Sequence, residues 1–267
     1  MASRVTVYAA GTDLNSNREI AASTWIRWAT SARLAGFRQG PLGKLLTTSM
    51  VMVRAQCLRM LARETIGNDT AVVATQRPHS MAQSSFTLRC TFTVSNRVVA
   101  QVTCVMVNVD VAKQERAPLP DWMRTDIQWD VAPDAHSPSP VPRELARASS
   151  ALNRLANSPK RTTHEVLTRP SDEDMLRHVT HWRYVQFFED ALVHVSAAHD
   201  NGPPDVFYVD YAAQVHQRTL CEVQVPASAV AGDRAPDELP MYLFVKGSST
   251  PACRAYVEWN SAAASAL

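Results

Sequence analysis

Apolar and polar positions alternate most cleanly over residues 84–94. Phe86, Leu88, Cys90, Phe92 and Val94 fall on one face, and Thr87, Arg89, Thr91 and Thr93 on the other. That period of two predicts a half-buried strand. Ser95-Asn96 predicts a hairpin turn into a second strand, 98–109, apolar on both faces and therefore central. Shorter apolar runs predict strands over 4–8, 49–57 and 70–75. Later in the chain, 164–168, 206–211, 219–225, 241–246 and 253–259 read as strands, the last with Cys253, Ala255, Val257 and Trp259 on one face. Two stretches carry a helical period instead. Residues 22–37 are apolar on more than one side, as in a buried helix, and Gly36, Gly40, Pro41 and Gly43 are expected to end it. Residues 180–199 place Tyr184, Phe187, Phe188, Ala191, Leu192 and Val195 at 3.6-residue spacing, before a stop at Asn201-Gly202-Pro203-Pro204.

Each half therefore reads strand, helix, then several antiparallel strands, an α+β plan with a helix against one sheet face. Between the halves, 117–143 holds six of the 16 prolines: Pro118, Pro120, Pro133, Pro138, Pro140 and Pro142. Proline removes backbone donors and resists regular structure. The expected organisation is a first domain over 1–116, a Pro-rich linker over 117–160 with a short helix at 143–157, and a second domain over 161–267. A chain of 267 residues is long enough for two domains of ordinary size.

The two halves share more than a plan. Asp13 aligns with Asp172, Asn15 with Asp174, Arg18 with Arg177, Ile20 with Val179, Trp25 with Tyr184 and Trp28 with Phe187, without a gap. The step from Asn15 to Asp174 is 159 residues, a domain-scale duplication rather than a solenoid repeat. The second copy retains side chains useful in chemistry: Asp174, then His178-Val179-Thr180-His181, then Tyr184. In the first copy Asn15 replaces the carboxylate, Glu19 the first histidine, and Ala21-Ala22 the polar pair.

The second segment resembles the motif of the thioesterase hotdog family, which includes 4-hydroxybenzoyl-CoA thioesterases and plant acyl-carrier-protein thioesterases. That motif runs Asp, three residues, His-Val-Asn-Asn or His-Val-Asn-His, two residues, Tyr. The first segment is similar to the plant-type version. The resemblance covers nearly the whole chain when the strands after each helix are counted. It implies two tandem hotdog domains, each a curled antiparallel sheet wrapped around a central helix. It implies Asp174 as catalytic carboxylate, with His178 and His181 beside it and Thr180 and Tyr184 at the substrate. Thr180 departs from the family's Asn, and Arg177 takes a position often Gly in single-domain relatives.

The residues alone leave blander readings open. An Asp before a helix is commonly an N-cap, contributing about 1 kcal/mol, and a lone His is commonly structural. Asp172 reads as a cap or a surface charge, Asp13 and Asn15 as turn and cap residues, and Glu19 as a solvated first-turn carboxylate. As chemistry, Asp174 can serve as general base or nucleophile. The helix N-terminus near His178–His181 can polarise a thioester carbonyl. The two function classes are an acyl thioesterase acting on acyl-CoA or acyl-carrier-protein thioesters, and a non-catalytic double-hotdog protein that binds acyl groups or serves as a scaffold.

Composition narrows the surroundings. A hydrophobic content of 46% supports a packed core. A net charge of +2, well mixed along the chain, argues against a nucleic-acid surface. The five cysteines are scattered with no Cys-x-x-Cys pair, which points to a reducing compartment, cytoplasm or organelle matrix. No apolar run reaches the length of a membrane span, and strand-like sequence from Val5 gives no expectation of a secretory signal. Ser265-Ala266-Leu267 is near the peroxisomal Ser-Lys-Leu address but lacks its basic residue, so an accidental tail is the simpler reading. His178 and His181 lack a third ligand for zinc, and neither a phosphate loop nor a Gly-x-Ser-x-Gly elbow occurs. No cofactor is implied. A fused pair replaces the dimer of a single-copy hotdog, and a homodimer of such pseudo-dimers stays open.

Overall fold

Every strand signalled by alternation forms, and most run longer than the signal. A computed structural model describes residues 2–10, 13–14, 19–63, 66–110, 112–113, 115–131, 143–155, 161–174, 177–193, 203–227 and 237–259. In chain order the elements are β1 (Ser3–Tyr8), α1 (Ala22–Gln39), α2 (Leu45–Thr48), β2 (Met50–Met60), β3 (Ala71–Met81), β4 (Ser85–Val94), β5 (Arg97–Asp110), β6 (Glu115–Arg116), α3 (Trp122–Asp126) and α4 (Arg143–Leu155). There follow β7 (Arg161–Leu167), α5 (His181–Val193), β8 (Val206–Tyr211), β9 (Leu220–Pro226), β10 (Glu238–Val245) and β11 (Cys253–Glu258). The expected continuation of α5 over 194–199, Asn15 and the C-terminal tripeptide lie outside the described residues. The chain divides into two compact units. The first holds 1–20, 27–56 and 61–143; the second holds 21–26, 57–60 and 144–267.

In the first unit the strand order is β1-β3-β4-β5-β2, with β1·β3, β3·β4 and β4·β5 antiparallel. The apolar face of β4 named above is buried, Phe86 and Phe92 completely. Trp28 of α1 meets Phe92 with ring centroids 6.5 Å apart. Burial of each such ring contributes about 1.5–3 kcal/mol. Gly36 does not end α1, as its residue type suggested. It lies inside the helix, where an added Cβ would stand 2.8 Å from Ser3 Oγ and 3.2 Å from Gln76 Nε2. Glycine is there because the helix approaches the sheet too closely for a side chain.

The proline-rich stretch is less of a linker than its composition suggested. Leu119 N–H donates to Gln83 O at 2.8 Å, Val131 N–H to His79 O at 2.8 Å, and Trp129 packs edge-on against Phe86 at 6.1 Å. Residues 117–131 thus lie on the β3–β4 part of the first unit. Helix α4 buries Leu145, Ala148, Ala151 and Leu152 in the second unit, where Tyr242 Oη donates to Leu152 O at 3.3 Å. The four later prolines of the stretch lie outside the described residues.

In the second unit the order is β8-β11-β10-β9-β7, antiparallel throughout. Helix α5 buries Tyr184, Val185, Phe187, Phe188 and Ala191, the stripe expected from its 3.6-residue period. All five cysteines are buried thiols outside any disulfide. No described helix is long and apolar enough to cross a membrane, and no group of three metal-ligating side chains occurs among the described residues.

Candidate functional site

The described residues of the duplicated segments make matching contacts, each inside its own unit. In the second unit, Asp172 Oδ2 accepts from Arg169 N–H at 2.7 Å, and Glu173 and Val179 form an isolated antiparallel bridge that pinches the loop closed. In the first unit, Asp13 Oδ2 accepts from Ala10 N–H at 2.9 Å, and Leu14 and Ile20 form the equivalent bridge. All four pairs are related by the 159-residue step. Each aspartate is also held by an arginine from the following helix. Arg183 Nε lies 3.1 Å from Asp172 Oδ1, near enough for an ion pair though not aligned for a hydrogen bond. Arg27 donates to Asp13 Oδ1. Asp172 is 3% exposed and Asp13 6%. The reading of Asp172 as a possible surface charge is corrected: it is a buried frame residue, and so is Asp13.

Asp174, two residues on, is exposed. Its N–H donates to His178 O at 3.0 Å and its carbonyl accepts from Arg177 N–H at 3.0 Å, so main-chain bonds turn Asp174 back onto Arg177 and His178. His178 N–H approaches Asp174 Oδ1 at 3.5 Å, so the carboxylate sits at the mouth of this turn. Arg177 has φ 60°, in the left-handed region. That conformation costs a non-glycine residue about 1–2 kcal/mol and explains why glycine suits the position. Arg177→Val is expected to destabilise the protein by about 1–2 kcal/mol, because a β-branched residue fits positive φ worst. Arg177→Gly is expected to leave urea stability unchanged or slightly raised.

A second segment, 215–219, braces the turn. Val179 N–H donates to Val215 O at 2.9 Å, His216 Nδ1 donates to Arg177 O at 2.9 Å, and Gln217 N–H donates to Glu173 Oε1 at 2.5 Å. The carbonyl acceptor fixes the His216 tautomer with hydrogen on Nδ1. This contact brings the His216 ring edge-on to His178, with centroids 5.0 Å apart. No spacing along the chain signals that pairing, since the two histidines belong to separate segments.

The other expected residues divide by burial. Thr180 stands just before α5; its Oγ1 is buried and has no hydrogen-bond partner, so it does not act as the usual N-cap. His181 opens α5 with its ring edge-on to Tyr211 at 4.7 Å, and Tyr211 Oη donates to His181 O at 3.2 Å. Tyr184 is core, 3% exposed, with Val215 N–H donating to its Oη at 3.0 Å. Burial pushes its phenol well above the ordinary range. In the first unit Glu19 is partly buried and lies 3.8 Å from Arg63, so it is paired rather than simply solvated.

Glu189 was not anticipated. It follows Phe187-Phe188 on α5, and its carboxylate accepts from Ala22 N–H at 2.6 Å and Ser23 N–H at 3.2 Å, both within the second unit. It occupies the N-terminus of α1 as an anion would. Loss of surrounding water pushes its carboxyl from 4.5 up to about 7. A raised carboxyl contributes stability that is fully present below pH 4.5 and lost as pH rises through about 7. The expected loss is about 1–3 kcal/mol, discounted for the partial exposure of the side chain. Glu189→Gln should flatten this part of the pH profile, measured as the wild-type-minus-variant difference in urea unfolding at pH 5 and pH 8.

Over 97% of the chain the fold is similar to those of solved thioesterases. An acyl-ACP thioesterase from Bacteroides thetaiotaomicron matches with a TM-score of 0.73 at 11% identity, covering 97% of this chain and 98% of that one. The 12:0-ACP thioesterase from Umbellularia californica matches at 0.70 and 13% identity, covering 97% of each chain. A protein assigned as an oleoyl thioesterase from Lactobacillus plantarum matches at 0.74 and 12% identity, covering 97% of this chain and 96% of that one. No protein-family model matches the chain, and no curated protein matches it. At such identities the likeness establishes the fold, and the chemistry has to be argued from residues.

Proposed function

We propose that the chain is an acyl thioesterase, two tandem hotdog units with a single hydrolytic site in the second, around Asp174. The observation that carries this reading is the duplicated frame. The same pair of contacts occurs twice among the described residues, at Asp13 and Leu14–Ile20 and at Asp172 and Glu173–Val179. Only in the second occurrence does the sequence supply a carboxylate, imidazoles and a hydroxyl, at Asp174, His178, His181 and Thr180. A buried hydroxyl without a partner costs free energy, and Thr180 Oγ1 is such a group. A substrate oxygen would satisfy it.

Asp174, open to solvent, takes a proton from water as the water oxygen attacks the thioester carbonyl. The carbonyl oxygen becomes an oxyanion beside the positive end of α5, where the Thr180 hydroxyl can donate to it. Collapse of the tetrahedral species breaks the carbon–sulfur bond. The departing thiolate takes up a proton from Asp174, with His178 braced by His216 as the relay. No metal or organic cofactor is required for these steps.

The names of two structural neighbours support an acyl-carrier-protein thioester as substrate; acyl-CoA is the alternative the motif leaves open. The test is release of free thiol from acyl-CoAs and acyl-carrier-protein thioesters of short, medium and long chain. Turnover of at least one series is expected. Failure of the folded protein to hydrolyse either carrier at any chain length would overturn the reading and favour acyl binding without catalysis.

A further inference from the structure

Gly36 borders a pocket of about 90 Å³ in the first unit, lined among others by Ser3, Leu42, Gln76, Pro78 and Ile127. Ala2 and Gln39 also line it and are exposed, so it is reached from solvent on their side. Ser3 and Gln76 are opposed in the β1–β3 register and share a face of the sheet. Their polar atoms converge. Ser3 Oγ lies 2.8 Å, and Gln76 Nε2 3.2 Å, from the point where a Cβ on Gly36 would stand. Gln76 is 5% exposed, and Ser3 Oγ is buried with no hydrogen-bond partner among the described residues. Because position 36 carries no side chain, nothing from α1 covers these two groups.

The lining selects what fits. No described residue in it ionises, so a charged guest would be buried without a counter-charge, which is strongly disfavoured. The volume is several times the roughly 10–15 Å³ that a single water needs. Leu42, Pro78 and Ile127 are buried and apolar, so a cluster of waters against them would lack the polar partners that buried water requires. At the polar end, the Ser3 hydroxyl both donates and accepts, and the Gln76 carboxamide presents a donor and an acceptor in one plane.

We propose that this pocket binds a small neutral primary amide with a short aliphatic body. The guest's carbonyl accepts from Gln76 Nε2, its N–H₂ group donates to Gln76 Oε1, and the Ser3 hydroxyl takes up a remaining hydrogen bond that its burial otherwise leaves unmade. The hydrocarbon lies against Leu42, Pro78 and Ile127. An alcohol carries donor and acceptor on one atom and cannot span both ends of the carboxamide. The inference does not depend on the hydrolytic reading above, and the pocket lies wholly in the first unit.

The test is ligand-observed NMR titration of the folded full chain with butyramide, butyrate, butanol and N,N-dimethylbutyramide, which share a short hydrocarbon body and differ at the polar end. Butyramide is expected to bind along a one-site saturation curve. The other three are expected to bind at least about tenfold more weakly, the scale of one or two lost hydrogen bonds. Gln76→Leu keeps the bulk, removes the carboxamide and should weaken butyramide by a similar factor. Gly36→Ala should abolish binding, because its methyl group occupies the polar end; the atoms it meets are side-chain ends that can turn aside. Absence of saturable butyramide binding would overturn the proposal, and so would butyrate bound as tightly, or wild-type affinity in Gln76→Leu. Should Gln76→Leu not fold, wild-type affinity in Gly36→Ala would overturn it. Hexanamide separates the sources: tighter binding than butyramide assigns the amide end of a longer chain, and weaker binding assigns a free short amide.

Discussion

Asp174→Asn is expected to lower thioester hydrolysis by at least about 100-fold, the lower end of what a positioned general base contributes. Stability should stay within about 0.5 kcal/mol of wild type, because the residue is exposed and asparagine keeps an oxygen that can accept from His178 N–H. Both halves of the prediction follow from placement. The Asp174 side chain is exposed, and the turn that carries it is closed by main-chain bonds to His178 and Arg177 that an asparagine leaves intact. Asparagine keeps the size and an acceptor oxygen but cannot take up a proton at neutral pH. The measurement is kcat/KM by thiol release, with the unfolding midpoint on the same preparations. A variant that hydrolyses as fast as wild type sinks the mechanism. A variant that is inactive because it is unfolded would instead mean that the carboxylate belongs to the frame.

That distinction between frame and chemistry is where the sequence ran out. Asp172 and Asp174 look alike on paper: both precede a helix, and either can cap it. What separates them is Arg169 N–H and the Arg183 side chain, which converge on Asp172 and leave Asp174 outside. Neither contact is written in a spacing. His216 was equally hidden, because only the closure of 215–219 over the turn brings it to His178. By contrast, strands such as β4 and β8 were legible, because alternation and dense apolar runs act through burial, which is local to the strand. Gly36 misled in the other direction. Glycine in a helical pattern commonly marks an end, and here it marks the approach of α1 to Ser3 and Gln76. The proline-rich stretch misled similarly. Prolines spoil periodicity, but 117–131 still finds acceptors for its N–H groups on β3, on β5 and at Gln83 between β3 and β4.

The duplication also allows a prediction on stability that activity alone cannot reach. Asp172→Ala is expected to destabilise the protein by about 3 kcal/mol, the lower end of the cost of breaking a buried ion pair. The low end applies because the Arg183 side chain keeps 25% exposure and can turn toward water. The substitution leaves Arg169 N–H without its acceptor and removes the charge facing Arg183. Asp13→Ala removes the same two contacts in the first unit, from Ala10 N–H and Arg27. Its cost should be smaller, since the Arg27 side chain is 41% exposed. Urea unfolding of both variants checks the order. Equal and negligible costs would show that the aspartates are caps of no special weight, and the frame would have to be sought in the main-chain bridges. If the order holds, the two loops share a scaffold whose maintenance does not depend on catalysis. The first loop could then lose its carboxylate at position 15 and its imidazole at position 19 while its fold was still held by Asp13. The second, with an equivalent frame, still presents Asp174 and His178 at its surface.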